Sequence, residues 1–416
     1  MKTFTYKKQQ ALFKKATGVM PCGIYGHYSP APLIPATDYP FFTSKAKGAH
    51  IWDPDGNQFI DYMCAYGPMV HGYANPKIDS AAAKSARLGN CTTGAPPVMV
   101  ELAEYLVDMT AGMSWAFFAK NGADTTNYAV MIARDATGRN KIITYDGCYH
   151  GTSPWMQGNG HHGVIEDDTK YVLKAKWNDY ADFERVVREN KGQIAALIAS
   201  PYLVPTFRDN ELPAEGYWEN VDALCKREGI ILISDDIRHG FRIDLRGSHA
   251  KYGYEPDLVC YCKAIGNGYP ISACLGTSGM KQYAARVFHT GSYWFQSEPM
   301  AAALASLKEH KRLNTPKVCT EKGTKLLTGL VGIAAGYGYE LKTSGDPSMP
   351  YLRITNDPSL MLHQDWCAES TKRGAFFTSH HNWFISTAHT DADIKKTLQI
   401  ADEAFKVIKK KYGDEF

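Results

Sequence analysis

Short apolar segments that alternate with helical stretches are the feature that most constrains the fold of this chain. Residues 141–145, 194–199, 229–234 and 258–262 are mainly apolar, and the last two stop at charged side chains, Asp235 and Lys263. Apolar runs of this length are typical of parallel strands that are covered on both faces. Helical stretches between them, such as 125–136, predict a doubly wound α/β architecture.

The two ends of the chain predict smaller elements. Residues 53–56 form a run of turn formers between apolar pairs, which predicts a hairpin. Apolar residues recur at helical spacing over 394–408, after Thr390 as N-cap and Asp393 three residues later. We therefore expect the N-terminal part of a small lobe at 1–64, a large domain at 65–305 and a C-terminal small domain at 306–416.

Charge and composition argue against several classes of protein. The 416 residues include 46 Lys and Arg and 43 Asp and Glu, a net charge of +3, which does not indicate a nucleic-acid or polybasic membrane protein. No apolar run approaches the length of a transmembrane helix, and no secretory signal is evident. The ten cysteines are scattered without a CxxC pair, so reduced thiols in a cytoplasmic protein without a metal site are expected.

Three features could carry chemistry, and each also has a plainer explanation. Gly122 and Ala123 lie at a turn before a helix, which predicts an anion site or only a turn. Asp235 follows an apolar strand, where it lies at the ligand-binding edge of a sheet or caps the next turn. Lys263 lies between Cys262 and a glycine-rich turn, which indicates a desolvated amine able to form a Schiff base or a lysine at the surface.

Taken together, the three features indicate one cofactor. Pyridoxal phosphate requires an anion site for its phosphate, a carboxylate for its pyridinium nitrogen and a lysine for its aldehyde. A phosphate cradle, an acid and an amine at strand ends of one sheet meet all three requirements.

Ordered motifs along nearly the whole chain support this interpretation. The chain resembles the class III aminotransferases of the fold-type I pyridoxal-phosphate superfamily, with glutamate-1-semialdehyde aminomutase as a near relative. The matching segments, in chain order, are 48–61 (opening hairpin), 66–76 (GP segment), 121–124 (phosphate loop), 137–151 (TGR…GCYHG), 234–242 (the acidic segment with GFR), 263–270 (KAIGNGYP) and 386–390 (STAHT).

The resemblance implies a fold and a set of site residues. The expected fold is a large domain with a mostly parallel sheet and a smaller α+β lobe built from both termini. Lys263 is expected to be the Schiff-base lysine and proton shuttle, and Asp235 to pair with the pyridinium nitrogen. The remaining cofactor contacts that it implies are Tyr149 and Ile237 on the two faces of the ring and the backbone of Gly122 and Ala123 on the phosphate.

The activity implied is transamination by a ping-pong mechanism between an amine or amino-acid donor and a carbonyl acceptor. The family is typically a homodimer with a shared active site, so at least a dimer is expected. An aminomutase or racemase on the same fold is an alternative, and a non-catalytic relative is another. Net amino transfer needs a separate carbonyl acceptor, whereas isomerisation does not.

Departures from the family pattern fall mostly on the substrate side. Pro32 stands where the aminomutase pattern has a carboxylate-binding arginine, and Ser200 replaces a common glutamate. Trp294 occupies the place of the threonine by which relatives contact the phosphate from the second subunit. An aromatic and polar substrate pocket is expected from Tyr66, Tyr25, His27 and Trp294, although several of these rings could instead be core or dimer contacts.

Overall fold

The computed structural model describes residues 1–24, 26, 34–35, 37–157 and 161–413, which belong to two compact units. The first unit comprises Met1–Asn75, Thr206–Asn210 and Lys317–Phe416, and the second comprises Pro76–Pro205 and Glu211–Pro316. The division of the chain into domains at 64/65 and 305/306 stays a prediction.

Helices and strands alternate along the second unit, as the apolar pattern predicts. The helices of the described chain are α1 (Lys7–Ala16), α2 (Pro76–Ala86), α3 (Val98–Met109), α4 (Gly122–Thr137), α5 (Pro154–Gln157), α6 (Glu166–Thr169), α7 (Tyr180–Glu189), α8 (Tyr217–Glu228), α9 (Ser248–Tyr252), α10 (Lys281–Arg286), α11 (Ser297–Leu313), α12 (Thr315–Gly336), α13 (Met361–Thr371) and α14 (Asp391–Tyr412). The strands of the described chain are β1 (Lys45–Lys47), β2 (His50–Trp52), β3 (Gln58–Asp61), β4 (Trp115–Ala119), β5 (Lys141–Tyr145), β6 (Val172–Ala175), β7 (Ile194–Ala199), β8 (Ile231–Asp235), β9 (Leu258–Tyr261), β10 (Ser272–Gly276), β11 (Leu341–Ser344), β12 (Tyr351–Ile354) and β13 (Ala375–Phe376).

A seven-stranded sheet organises the described part of the second unit. Its strand order is β4-β10-β9-β8-β7-β5-β6. The pairs among β6, β5, β7, β8 and β9 are parallel, whereas β10 runs antiparallel to both β9 and β4. The carboxyl ends of β7, β8 and β9 therefore meet at one edge of the sheet, as parallel pairing requires.

Both faces of this sheet are buried, which explains the continuous apolar strands. Leu258 and Cys260 of β9 belong to a buried cluster that includes Ala129 and Ile132 of α4. The alternate β9 residues, Val259 and Tyr261, belong to a second cluster with residues of α3 and α11. Because successive side chains of a strand point to opposite faces, a strand covered on both sides has apolar residues at every position.

The predicted strands were confirmed except for their ends. β8 begins at Ile231 rather than at 229, because Gly229 adopts a left-handed φ of 61° at the end of α8. Glycine reaches this conformation without the steric cost that a side chain brings, so it closes the helix before the strand starts. The two edge strands, β4 and β6, and the antiparallel strand β10 were not predicted.

The first unit contains the predicted hairpin and the predicted C-terminal helix. β2 and β3 are antiparallel, and the Asp53 carboxylate accepts hydrogen bonds from the backbone and side chain of Asn57 to close their turn. α14 begins after Thr390, whose hydroxyl accepts a hydrogen bond from the Asp393 amide at 3.1 Å. In the described chain, no helix has both the length and the apolar character needed to cross a bilayer.

Candidate active site

The edge where β7, β8 and β9 end carries the chemically active side chains of the second unit. Ser200 follows β7, Asp235 is the last residue of β8, and Lys263 lies two residues after β9. A cavity of about 300 Å³ opens at this edge, and its walls include Lys263, Asp235, Tyr149, Ile237 and the start of α4. Ligands of open α/β sheets bind at such carboxyl edges.

Asp235 is a buried carboxylate with a buried histidine as its partner. The side chains of Asp235 and His150 are only 4% and 3% exposed, and 2.6 Å separates Oδ2 of the acid from Nδ1 of the imidazole. Burial alone lowers the pKa of His150, but hydrogen bonds to Asp235 and Cys148 and the nearby negative charge outweigh it and raise the pKa to about 9. A protonated imidazole therefore donates a charge-assisted hydrogen bond to Oδ2 of Asp235.

His150 is held in place from the opposite side by α4. The hydroxyl of Thr126 donates a hydrogen bond to the His150 carbonyl at 2.9 Å. The backbone amide of Ile237 donates to Oδ1 of Asp235 at 3.2 Å, so both carboxylate oxygens have a fixed partner. The acid is thereby oriented before any ligand binds.

Lys263 opens a short 3-10 turn, Lys263–Ile265, in an unusual backbone conformation. Its φ is 48°, in the left-handed region that a residue with a side chain rarely adopts. The carbonyl of the next residue, Ala264, accepts hydrogen bonds from Ser306 and His310 of α11. Burial, together with the positive charge of Arg238, lowers the pKa of Lys263 to about 7, so about half of the amines are neutral at that pH.

The first turn of α4 forms another wall of the cavity. α4 begins at Gly122, and the N–H groups of Gly122 and Ala123 have no helical carbonyl one turn earlier to which they could donate, whereas the Asp124 N–H donates to the Asn121 carbonyl at 3.1 Å. A Cβ atom on Gly122 would lie 2.6 Å from Cδ1 of Ile237, so a side chain at this position would force the end of the Ile237 side chain to move. The start of α4 and the Ile237 side chain are therefore packed directly against each other, at a type of helix end that favours anions.

Tyr149 provides an aromatic face in the same cavity. Its side chain is 47% exposed although its neighbour His150 is buried. An exposed ring that lines a cavity offers a surface on which a second ring can stack. Carboxylate, amine, helix start and flanking apolar and aromatic groups thus occupy one site, and this donor set fits pyridoxal phosphate.

The wall formed by the β7 and β8 loops contains residues that the sequence analysis missed. Val204, Arg238 and His239 line the cavity there, beside Ser200, whose position the sequence did indicate. Nη1 of Arg238 donates a hydrogen bond to the carbonyl of Val204 at 3.0 Å. His239 is 1% exposed and its ring contacts Tyr202 edge-on, with 4.4 Å between the ring centroids. The position of Arg238, directly after Ile237 in the acidic motif, was the signal that could have identified it.

Two of the four expected substrate residues, Tyr66 and Trp294, lie in the described part of the chain. Trp294 does not line the described cavity; its ring contacts Phe117 and His289, with centroid distances of 5.6 and 4.9 Å. Tyr66 belongs to the first unit, where its ring contacts His381 edge-on at 5.2 Å. Tyr25, His27 and Pro32 lie outside the described residues.

Comparisons with known proteins agree with this geometry. The model of the family "Aminotransferase class-III" matches residues 34–345. An aminopentol aminotransferase of Sphingopyxis macrogoltabida is 38% identical, covering 96% of this chain and 94% of that protein. A glutamate-1-semialdehyde 2,1-aminomutase of Chlorobium luteolum is 31% identical, covering 95% of this chain and 97% of that protein. The structure of the FumI protein of Sphingopyxis sp. MTA144, in its PLP internal aldimine form, superposes with a TM-score of 0.94 at 36% identity, covering 98% of this chain and 97% of that one.

These findings confirm the predicted fold and cofactor. The fold is that of fold-type I pyridoxal-phosphate enzymes, with a large and mostly parallel sheet. The enzyme uses pyridoxal phosphate and catalyses transamination between a small-molecule amino donor and a carbonyl acceptor. With a family model that covers most of its length and relatives that align from end to end, the chain belongs to the class III aminotransferases.

Proposed function

We propose that Lys263 forms the covalent link to pyridoxal phosphate and that Asp235 holds the pyridinium nitrogen of the cofactor. The observation that carries this proposal is the convergence of both side chains, with the start of α4, on one cavity. In the same proposal, Gly122 and Ala123 bind the phosphate through their backbone N–H groups, and Tyr149 and Ile237 flank the ring.

The cofactor supplies an electron sink for the carbon that bears the amino group. Nζ of Lys263 would take the proton from that carbon and deliver it to the former aldehyde carbon of the cofactor, and its lowered pKa suits both steps near neutral pH. The carboxylate of Asp235 would hold a proton on the ring nitrogen, and His150 fixes Oδ2 of that carboxylate at a distance of 2.6 Å. Tyr149 and Ile237 exclude water from the two faces of the site.

The proposed donor is an amine whose amino-bearing carbon carries no carboxylate, and the proposed acceptor is a 2-oxo acid. The 38% identity to an aminopentol aminotransferase supports such a donor. The test is a panel of ω-amines, β-amino acids, amino alcohols and amino sugars, with pyridoxamine phosphate formation as the readout. An aminomutase or racemase would instead isomerise a single amino compound without an acceptor, which would overturn the proposal.

We also propose a homodimer in the cytoplasm. The cysteines are all free thiols in the structure, as expected in a reducing compartment. In the dimer, Tyr66, Tyr25 and His27 contact substrate, and Trp294 contributes from the second subunit. Sedimentation of the purified protein tests the dimer, and a monomer with full activity would contradict it.

The lowered pKa of Lys263 predicts how cofactor loading depends on pH. A primary amine attacks an aldehyde only when it has lost its proton, and a pKa of about 7 makes most of the Lys263 amine neutral by about pH 8. We expect the rate at which the apoenzyme develops its visible absorbance with pyridoxal phosphate to rise through pH 7 and then level off. Stopped-flow mixing between pH 5.5 and pH 10 measures this rate. A rate that still climbs tenfold per pH unit above about pH 9 would indicate an ordinary lysine.

The contact between Gly122 and Ile237 predicts a compensating pair of substitutions. In Gly122→Ala the new methyl group must displace Cδ1 of Ile237 from the cavity wall, and we expect cofactor binding to weaken about tenfold. Gly122→Ala with Ile237→Val removes that methyl group and should recover much of the affinity. Fluorescence titration of the apoproteins with pyridoxal phosphate gives the dissociation constants. Equal affinities of the single and double variants would contradict the assigned contact.

A further inference from the structure

The wall of the cavity between β7 and β8 carries a cation that the cofactor contacts above do not use. Arg238 follows Ile237 in the loop after β8, and its Nη1 is fixed to the Val204 carbonyl of the loop after β7. Its side chain is half-buried and lines the cavity. Of the three guanidinium nitrogens of Arg238, Nη1 is the one that donates to an acceptor in the described chain. The N–H groups of Nε and Nη2 are therefore available to a ligand.

When the charges of the other groups around the cavity are added up, the positive charge of Arg238 remains. The charge of Asp235 is paired with His150 at 2.6 Å, and the amine of Lys263 is mainly neutral at about pH 8. Burial lowers the pKa of Arg238 from its usual value, yet a guanidinium remains charged throughout the working pH range. A cation that is partly withdrawn from water and has free donors favours an anionic ligand.

A histidine beside Arg238 strengthens this wall. Both ring nitrogens of His239 are buried and have no hydrogen-bond partner in the described chain. Burial, with the charges of Arg238 and Lys263, lowers the pKa of His239 well below its usual range, so the imidazole is neutral. A neutral imidazole can donate one hydrogen bond to an oxygen atom without adding charge. An arginine and an imidazole donor side by side form a set suited to a carboxylate.

We propose that Arg238, assisted by His239, binds the carboxylate of the 2-oxo acid acceptor and so determines which acceptors the enzyme accepts. This proposal rests on the proposed function, because it assigns a substrate group to the same cavity. The carboxylate of a 2-oxo acid is bonded to the carbonyl carbon that reacts next to Lys263, so the cation that binds it must lie near that amine. Arg238 lines the same cavity as Lys263, and after burial its charge is the largest cause that lowers the pKa of Lys263.

Acceptors with and without a carboxylate test the proposal. Enzyme loaded with pyridoxamine phosphate is mixed with pyruvate or with acetaldehyde, which lacks the carboxylate. In Arg238→Met we expect kcat/KM for pyruvate to fall about 10–100-fold, with the value for acetaldehyde unchanged. Arg238→Lys should be intermediate, because an ammonium cannot form the two-pronged contact. Arg246→Met, which removes an exposed arginine paired with Asp244, is the matched control and should behave as wild type.

A binding measurement without turnover completes the test. Propanoate cannot react, and calorimetric titration of the loaded wild type and of Arg238→Met should show at least tenfold weaker binding to the variant. Equal losses for both acceptors, with an altered pH midpoint of the visible band, would place Arg238 on the cofactor and overturn the proposal. Unchanged pyruvate kinetics or propanoate affinity in a folded variant would overturn it as well. If wild type does not transfer its amino group to pyruvate at all, the proposed acceptor class fails, and propanoate binding still decides the role of Arg238.

Discussion

Replacement of Lys263 by alanine is expected to lower the rate of transamination by about 10⁴-fold or more. The substitution removes both the covalent link and the base that moves the proton. It should also abolish the visible absorbance band, at roughly 400–430 nm, that is expected of the loaded enzyme. Because phosphate binding and ring contacts remain, the variant should still bind the cofactor, reversibly and without a covalent bond.

An exposed lysine provides the control for this experiment. Lys281, at the start of α10, is exposed and does not line the described cavity, so Lys281→Ala should keep both the band and the activity. Reduction with borohydride followed by peptide mass analysis identifies the modified residue directly. A Lys263→Ala protein that keeps the band, or a cofactor found on another lysine, would refute the assignment.

Replacement of Asp235 by asparagine should lower kcat by about 10²–10³-fold while the protein stays folded. The amide has nearly the same shape, but it cannot hold a proton on the pyridinium nitrogen by its charge. Loss of the carboxylate also removes the largest of the interactions that raise the pKa of His150 to about 9, so that pKa should fall and a larger fraction of the imidazole should be neutral near pH 7. Single-turnover kinetics with saturating cofactor measure the effect on chemistry, and NMR of the imidazole measures the shift.

Asp236, the acid next to Asp235, provides a control that distinguishes the role of Asp235 from a general effect of removing a buried carboxylate. Asp236 accepts hydrogen bonds from the backbone and hydroxyl of Ser248 at 2.9 and 2.6 Å, and it does not line the described cavity. Burial raises its pKa to about 7, so it is partly protonated near neutral pH. Asp236→Asn should therefore retain turnover. Similar losses in the two variants would contradict the distinct role of Asp235.

The strands that are buried on both faces could be predicted from the sequence, because their apolar pattern follows directly from that burial. Strands β5 and β7 were predicted at their observed bounds, because a strand buried on both faces needs apolar residues throughout. Asp235 and Lys263 could be expected near each other since the carboxyl ends of parallel strands meet at one edge. The family resemblance added Tyr149 and Ile237, whose positions follow from no periodicity.

The wall formed by Arg238 and His239 could not be predicted in this way. A residue in a loop can point into a cavity or into solvent, and the direction of Arg238 depends on a hydrogen bond to Val204, 34 positions earlier in the chain. The partnership of His150 with Asp235 likewise joins residues 85 positions apart. Contacts of this kind depend on loop conformation, on which an apolar pattern carries no information.

The left-handed backbone at Lys263 limits which substitutions can be used to raise the thermal stability of this enzyme. A glycine there would relax the turn, so screening variants for heat resistance alone would favour proteins that have lost their nucleophile. Directed evolution of this scaffold should therefore leave residues 262–266 and the facing side of α11 fixed, and look for robustness elsewhere.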